Sequence, residues 1–176
     1  MVAELTHFIG GKHVKGASGR FTEAFWPMTG EVASKVPLAN VAEVRAAVEN
    51  AKAAQPGWAA TNPQRRARVL MKFLELVHQE YDQLALLLAK EHGKTVADAK
   101  GDIQRGLEVV EFCIGAPQML KGEFTDGAGP NIDIYSMRQP LGVVAVMIEE
   151  KPLSYRLLRP AICHGKPRTA LLACFD

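Results

Sequence analysis

Apolar and polar residues change rhythm several times along this chain, and each change marks an element. Phe8-Ile9-Gly10-Gly11-Lys12-His13-Val14 sets two glycines between short β-prone pieces, the composition of a hairpin turn. Phe21 to Trp26 and Glu31 to Val36 flank Pro27-Met28-Thr29-Gly30, a four-residue turn closed by glycine. The opening is therefore predicted to be a small antiparallel sheet. Val41, Val44, Val48 and Ala51 then recur at helical spacing; Asn40 caps that helix, Glu43 reaches back to the cap, and Gln55-Pro56-Gly57 stops it. Asn62 followed by Pro63 opens a second helix at the position where proline's missing N–H is no loss. Its apolar set is Val69, Leu70, Phe73, Leu76, Val77 and Tyr81, and it continues or bends through Leu84 to Leu88 before Gly93. Thr95 with Asp98 opens a third helix, which carries Ile103, Leu107, Val110 and Ile114 on one face and Pro117 near its end.

The period then shortens. Ile132, Ile134 and Ser136 alternate with Asp133, Tyr135 and Met137, a strand partly wet on both faces, and Pro140 ends it. Leu141 to Ile148 is one continuous apolar run, which suits a strand buried on both faces of a parallel sheet. Such a sheet needs more than one strand, so an α/β domain announces itself just where the text changes. No internal repeat and no low-complexity tract interrupts the pattern.

Composition narrows the function classes. The chain has 176 residues, 48% of them hydrophobic and 23% charged, enough apolar material for the core of one ordinary domain. A net charge of +2 and a pI near 8.5 give no strong field to attract nucleic acid or an acidic membrane surface, so neither is expected as a partner. No apolar run approaches the roughly 18 residues of a spanning helix. Met1 to His7 lacks the basic region and apolar stretch of a signal peptide, which predicts a cytoplasmic protein, or an organellar-matrix one after loss of a transit peptide. Cys113, Cys163 and Cys174 form no CxxC pair and read as reduced thiols, with neither disulfide framework nor metal site. The averages hide a break near residue 149. Residues 151–176 hold five basic side chains against one acid, leaving 16 basic and 18 acidic groups in the first 150. In that last stretch no helical or alternating pattern survives.

Four motifs in order carry a resemblance. Met28-Thr29-Gly30-Glu31-Val32, Glu91-His92-Gly93-Lys94-Thr95, Gly101 to Phe112, and Arg138-Gln139-Pro140-Leu141-Gly142-Val143-Val144-Ala145 together resemble the aldehyde dehydrogenase superfamily. Arg105 to Phe112 and Gly127 to Asp133 look like the CoA-acylating methylmalonate-semialdehyde dehydrogenases within it. The resemblance spans about residues 5–145, and several motifs in one order are far more specific than any one alone. It implies an α/β chain forming the N-terminal part of an aldehyde dehydrogenase fold: a small antiparallel sheet, a helical layer, an arm strand over 132–138, and Val143 to Ile148 as the first strand of an incomplete Rossmann-like sheet. Residues 1–148 would belong to the NAD-binding domain, and 149–176 to a tail outside the family pattern, frameshifted or disordered.

Members of that family are much longer. They oxidise malonate or methylmalonate semialdehyde with NAD, form a thioester on a cysteine, lose carbon dioxide and pass the acyl group to CoA. Past Ala145 this chain departs from them. It lacks the family's Thr-Pro-Phe-Asn-Phe-Pro segment, whose asparagine stabilises the oxyanion, and its Lys-Pro-Ser-Glu segment, which holds the adenosine ribose. The catalytic cysteine, far downstream in the family, has no counterpart. The expectation is thus a truncated dehydrogenase-like chain that is inactive alone and binds neither NAD nor CoA tightly, with no catalytic residue and no assigned cofactor contact. Its partners would be copies of itself, or a family-type homo-oligomer built through the arm strand. The rival is a non-catalytic interaction module associating with a full-length paralogue.

Single residues divide into functional and structural readings. Arg105 corresponds to a family residue that helps bind the substrate carboxylate, a task for a planar, permanently charged fork. Its structural alternative is a surface arginine paired with Asp102 or Glu108, each three positions away. Cys163 beside His164, and Cys174, invite a nucleophile reading, but adjacent side chains in an extended segment point apart and no orienting group is near in sequence. Cys113 falls between core positions and reads as a buried thiol. Gly10-Gly11 and Gly127 to Pro130 are turns and not phosphate loops. His7, His13, His78 and His92 show no metal-ligand spacing. Arg65, Arg66 and Arg68 read as a solvated face.

Overall fold

The computed structural model describes residues 2–147 and 170–174. Near the start, β2 (His7–Ile9) and β3 (Lys12–Val14) pair antiparallel with His7 opposite Val14. Gly10 and Gly11 both take positive φ, 59° and 75°, the backbone a two-residue hairpin turn demands. A second sheet has the order β1 (Ala3–Glu4), β5 (Val32–Pro37), β4 (Phe21–Phe25). Strands β4 and β5 are antiparallel, with a register shift between Ala24 and Phe25, but β1 runs parallel to β5. The opening is thus mixed, not purely antiparallel: the β2–β3 hairpin and β4 lie between β1 and β5 in sequence, a connection long enough for a parallel return.

Helix α1 (Val41–Ala59) starts with the expected capping box, Glu43 N–H donating to Asn40 Oδ1 at 2.9 Å and Asn40 N–H to Glu43 Oε2 at 2.8 Å. Glu43 Oε1 also accepts from Ala17 N–H at 2.6 Å. These two backbone donors, Asn40 first and then Ala17, hold the Glu43 carboxyl below its ordinary range. Pro56 does not stop the helix, which runs on to Ala59. The proline sits in the last turn, so the ladder bond it removes disturbs only the helix end, and Ala60 N–H bonds back to Pro56 O at 3.0 Å.

Helices α2 (Pro63–Gln79) and α3 (Tyr81–His92) meet at Glu80, whose φ of −99° and ψ of 12° make the bend. Helix α4 (Val96–Ile114) follows the Gly93 cap, and the short α5 (Ala116–Met119) follows α4. The core lies among α2, α3 and α4: Val77, Ala85, Leu88, Ala89, Ala99, Ile103 and Leu107 form one cluster, with Leu74 and Tyr81 packed on it. Alanines on the facing sides of α3 and α4 let the backbones approach closely. Tyr81 Oη donates to Lys100 O at 2.7 Å, and Lys100 pairs with Asp82 at 2.6 Å, tying the same two helices at their edge. The apolar set expected of the second helix is only partly used. Val77 is buried, but Val69 is 54% exposed, Phe73 38% and Leu76 46%. Helix α1 buries none of its residues, and its neighbours are β8 (Val143–Met147) and β9 (Ala170–Cys174).

Strands β6 (Phe124–Gly129) and β7 (Ile132–Tyr135) form a two-stranded ribbon turning at Pro130-Asn131, with Asn131 at φ 59°. The expected strand over 132–138 ends at Tyr135. Its partner, β6, was hidden because Gly127 to Gly129 reads as a turn, and the register does shift between Thr125 and Gly129. The ribbon's apolar side chains stand in solvent, Phe124 67% and Tyr135 68% exposed. Strand β8 pairs antiparallel with β9, Val143 opposite Cys174, where the continuous apolar run suggests a parallel sheet. Cys163 and His164 lie outside the described residues.

Candidate functional site

Two distant sequence motifs meet where α3 ends. Gly93 caps α3 in the left-handed region, φ 73°, and its Cα packs on the Pro27-Met28 turn: a β-carbon there would lie 2.9 Å from Pro27 Cγ and 3.4 Å from Met28 Sδ. Only glycine meets both the dihedral and the space. Thr95 then caps α4, its Oγ1 accepting from Asp98 N–H at 3.2 Å. Between these two caps the chain delivers Lys94 over the first turns of α4.

Lys94, Asp98 and Asp102 are spaced four residues apart, so the two carboxylates stack along one face of α4 beneath the ammonium. Lys94 Nζ is 2.6 Å from Asp98 Oδ2 and donates a hydrogen bond to Asp102 Oδ2. The other oxygen of Asp102, Oδ1, accepts from Arg105 Nη1 at 3.2 Å. Side-chain exposure falls from 62% at Arg105 to 13% at Lys94 and 7% at Asp102. Asp102 is thus a buried carboxylate with one oxygen committed to each of two cations. Burial pushes the Lys94 ammonium down, but hydrogen bonds to Asp102 and Asp98 and their charges outweigh it and leave its pKa raised. The hydrogen bond from Lys94, followed by its charge, holds the Asp98 carboxyl low.

The structure places Arg105 at the outer end of this cluster. It is paired with Asp102, as the structural alternative required, yet Asp102 is not a surface group, and the arginine is thereby fastened to a buried anchor. Arg105 Nε and Nη2 make no hydrogen bond among the described residues. The arrangement can present a cationic fork with one edge fixed and the other open. Lys94 and Asp102 are the members that the sequence reading did not single out as a unit; the signal was their spacing with Asp98 on one helical face.

Other candidates stay apart. Cys113 is buried on α4, as expected of a core thiol. Of the three arginines early in α2, Arg65 and Arg68 are exposed but Arg66 is half-buried. Arg68 lines a cavity of about 320 Å³ with Gln64, Met71, Ile114 and Pro117, between α2 and α5, a site Arg105 does not border. Among the described residues no cluster of His, Cys, Asp and Glu could hold a metal ion, and no helix is long and apolar enough to cross a membrane. A dinucleotide crevice forms at the carboxyl ends of several parallel strands. Among the described residues β8 has an antiparallel neighbour, β9.

Comparison with known proteins gives a consistent picture. The aldehyde dehydrogenase family pattern matches residues 13–148. A malonate-semialdehyde dehydrogenase of Pseudomonas aeruginosa is 45% identical over 141 residues, covering 80% of this chain and 28% of the relative. Among solved structures, a Sinorhizobium meliloti protein assigned to methylmalonate-semialdehyde dehydrogenase, in complex with NAD, is 63% identical with a TM-score of 0.77. The match covers 81% of this chain and 29% of that one. The methylmalonate-semialdehyde dehydrogenase of Oceanimonas doudoroffii is 41% identical with a TM-score of 0.75, over 80% and 28% of the two chains. The chain therefore spans a little over a quarter of the length of these relatives, and its arrangement of small sheets and helical layer matches their N-terminal part.

Proposed function

We propose, from the premise that this chain belongs to the aldehyde dehydrogenase family, that it is the N-terminal region of an NAD-dependent, CoA-acylating dehydrogenase of malonate or methylmalonate semialdehyde. Arg105 is the group we assign to the substrate carboxylate. The observation that carries the assignment is its fork, fastened through Nη1 to a buried carboxylate and open along the edge a second carboxylate would take. Oxidation and acyl transfer would be supplied by NAD and CoA held elsewhere in a complete enzyme, on segments with no counterpart in this sequence. The 176 residues alone are therefore expected to show no turnover and no tight NAD binding; a micromolar affinity by calorimetry would refute that.

The test of the assignment joins residues 1–145 of this chain to the remainder of the Sinorhizobium meliloti relative. Arg105→Ala in that enzyme removes a charge-assisted pair worth about 1.5 to 3 kcal/mol, roughly a tenfold to hundredfold loss in kcat/KM for malonate semialdehyde. Propanal, which has no carboxylate, should lose almost nothing. Equal losses for both aldehydes would place Arg105 in a purely structural role.

A second reading is favoured by the exposed ribbon β6–β7 and the partly exposed apolar face of α2. In it the chain is a non-catalytic module that associates with itself or with a longer paralogue through that ribbon. Sedimentation of the 176-residue chain with and without the longer paralogue distinguishes the two: a clean monomer in both mixtures removes the second reading.

A further inference from the structure

We infer that Asp102 is a positioning residue for Arg105, fixing which edge of the guanidinium is offered to a carboxylate-bearing aldehyde; the inference rests on the reading of Arg105 as the carboxylate-binding group. Asp102 has the geometry for this and little else. Its side chain is 7% exposed, Oδ2 is held by Lys94, and Oδ1 holds Arg105 Nη1 at 3.2 Å. Lys94 is itself held from two sides, by Asp98 at 2.6 Å and by the turn in which Lys94 N–H bonds to Ala89 O at 3.2 Å. Behind that turn Gly93 packs on Pro27. The anchor of the arginine is therefore rigid back to the second sheet.

An arginine on an exposed helix face would otherwise sample many rotamers and lose them on binding. With Nη1 committed, the Nε and Nη2 edge remains, and it makes no hydrogen bond among the described residues. That edge is a complete bidentate face for one carboxylate. A substrate held along it has its aldehyde carbon at one place relative to the nucleophile, which is where orientation acts on the rate.

Charge and positioning predict opposite changes in affinity and rate, which separates them. Asp102→Asn keeps the shape but makes the cluster more positive by one charge. An anionic aldehyde should then bind as well as before or better, yet react in the wrong pose. In the joined enzyme the expected result is a roughly tenfold lower kcat for malonate semialdehyde with KM unchanged or lowered, and kcat/KM for propanal within about twofold of the parent. Asp102→Glu should recover part of the kcat. Equal loss for both aldehydes, or an unchanged kcat for malonate semialdehyde, overturns the inference. Arg105→Ala is measured beside it: if that variant leaves the ratio of the two aldehydes unaltered, the carboxylate reading itself has failed. If it shifts the ratio and Asp102→Asn does not, only the positioning has failed.

A measurement without substitution at Asp102 covers the case in which that variant does not fold. In nitrogen-15 spectra of the 176-residue chain, the Nη signals of Arg105, assigned by their loss in Arg105→Lys, should be resolved by slowed rotation about the Cζ–Nε bond. Exposed Arg65 and Arg68 should give averaged signals. An averaged Arg105 overturns the inference.

Discussion

Replacing Gly93 by alanine should destabilise the fold through two separable effects. The first is local: at φ 73° an alanine occupies the left-handed region at a cost of about 1 to 2 kcal/mol. The second is tertiary: the new β-carbon would stand 2.9 Å from Pro27 Cγ, so the turn or the helix end must shift, which costs about 1 to 3 kcal/mol by the standards of overpacking. Together Gly93→Ala should cost about 2 to 5 kcal/mol, a large share of the roughly 5 to 15 kcal/mol a domain has. Pro27→Ala removes the Cγ and leaves a Cβ at 3.3 Å, so in that background most of the tertiary part should vanish, leaving chiefly the backbone part of about 1 to 2 kcal/mol. The assay is equilibrium urea unfolding of the parent, both single variants and the double variant, followed by far-UV circular dichroism. Their cycle isolates the Gly93–Pro27 contact from either change alone. If Gly93→Ala costs the same in both backgrounds to within about 0.5 kcal/mol, the contact between the two motifs is refuted and only the dihedral survives.

Leu107→Ala, at a fully buried centre of the helical core, should cost about 2.7 to 5 kcal/mol. Leu86→Ala, 51% exposed on α3, should cost less than about 1 kcal/mol in the same urea titration; similar losses would place the core elsewhere. Lys94 should also make stability depend on acid. The folded pKa of Asp98 lies below its ordinary 3.8, so its contribution is present above that value and disappears as pH falls through the folded one. Lys94→Met should flatten the loss of stability below pH 3.8, and an unchanged acid slope would contradict the pairing. The raised pKa of Lys94 has the opposite sign: its contribution is complete below the ordinary 10.5 and fades as pH rises through the folded value. Finally, the chain should self-associate at tens of micromolar, roughly where exposed strands begin to pair. Ile132→Lys with Ile134→Lys on β7 should shift the sedimentation profile toward monomer, and no shift would exclude that ribbon as the contact.

What the sequence determined by itself is the set of features whose causes lie within a few residues. Asn40 with Glu43, Asn62 with Pro63, Thr95 with Asp98, and the left-handed Gly93 all start or stop helices as read, because a cap needs only the backbone it caps. Gly10-Gly11 makes its hairpin for the same reason. The order of the motifs was enough for the family, and Ile103, Leu107 and Val110 were identified as a buried face from spacing alone.

Tertiary structure decided the rest. A helical stripe says which residues share a face but not what covers it, so Val69, Phe73 and Leu76 matched the periodicity and still stand partly in solvent. Pro56 as a helix stop and Leu141 to Ile148 as a strand of a parallel sheet were local inferences that position in the chain overrode: the proline fell in a last turn, and a strand from beyond residue 149 paired antiparallel with β8. The site shows the same division. Arg105 could be named from its motif, and a pairing with Asp102 or Glu108 from separations of three residues, between which the structure selects Asp102. That Asp102 is buried, and held from behind by Lys94 on a turn packed against Pro27, depends on three segments meeting in space. Burial is what turns an ordinary surface pair into a fixed anchor, because a buried carboxylate that loses a partner is left uncompensated.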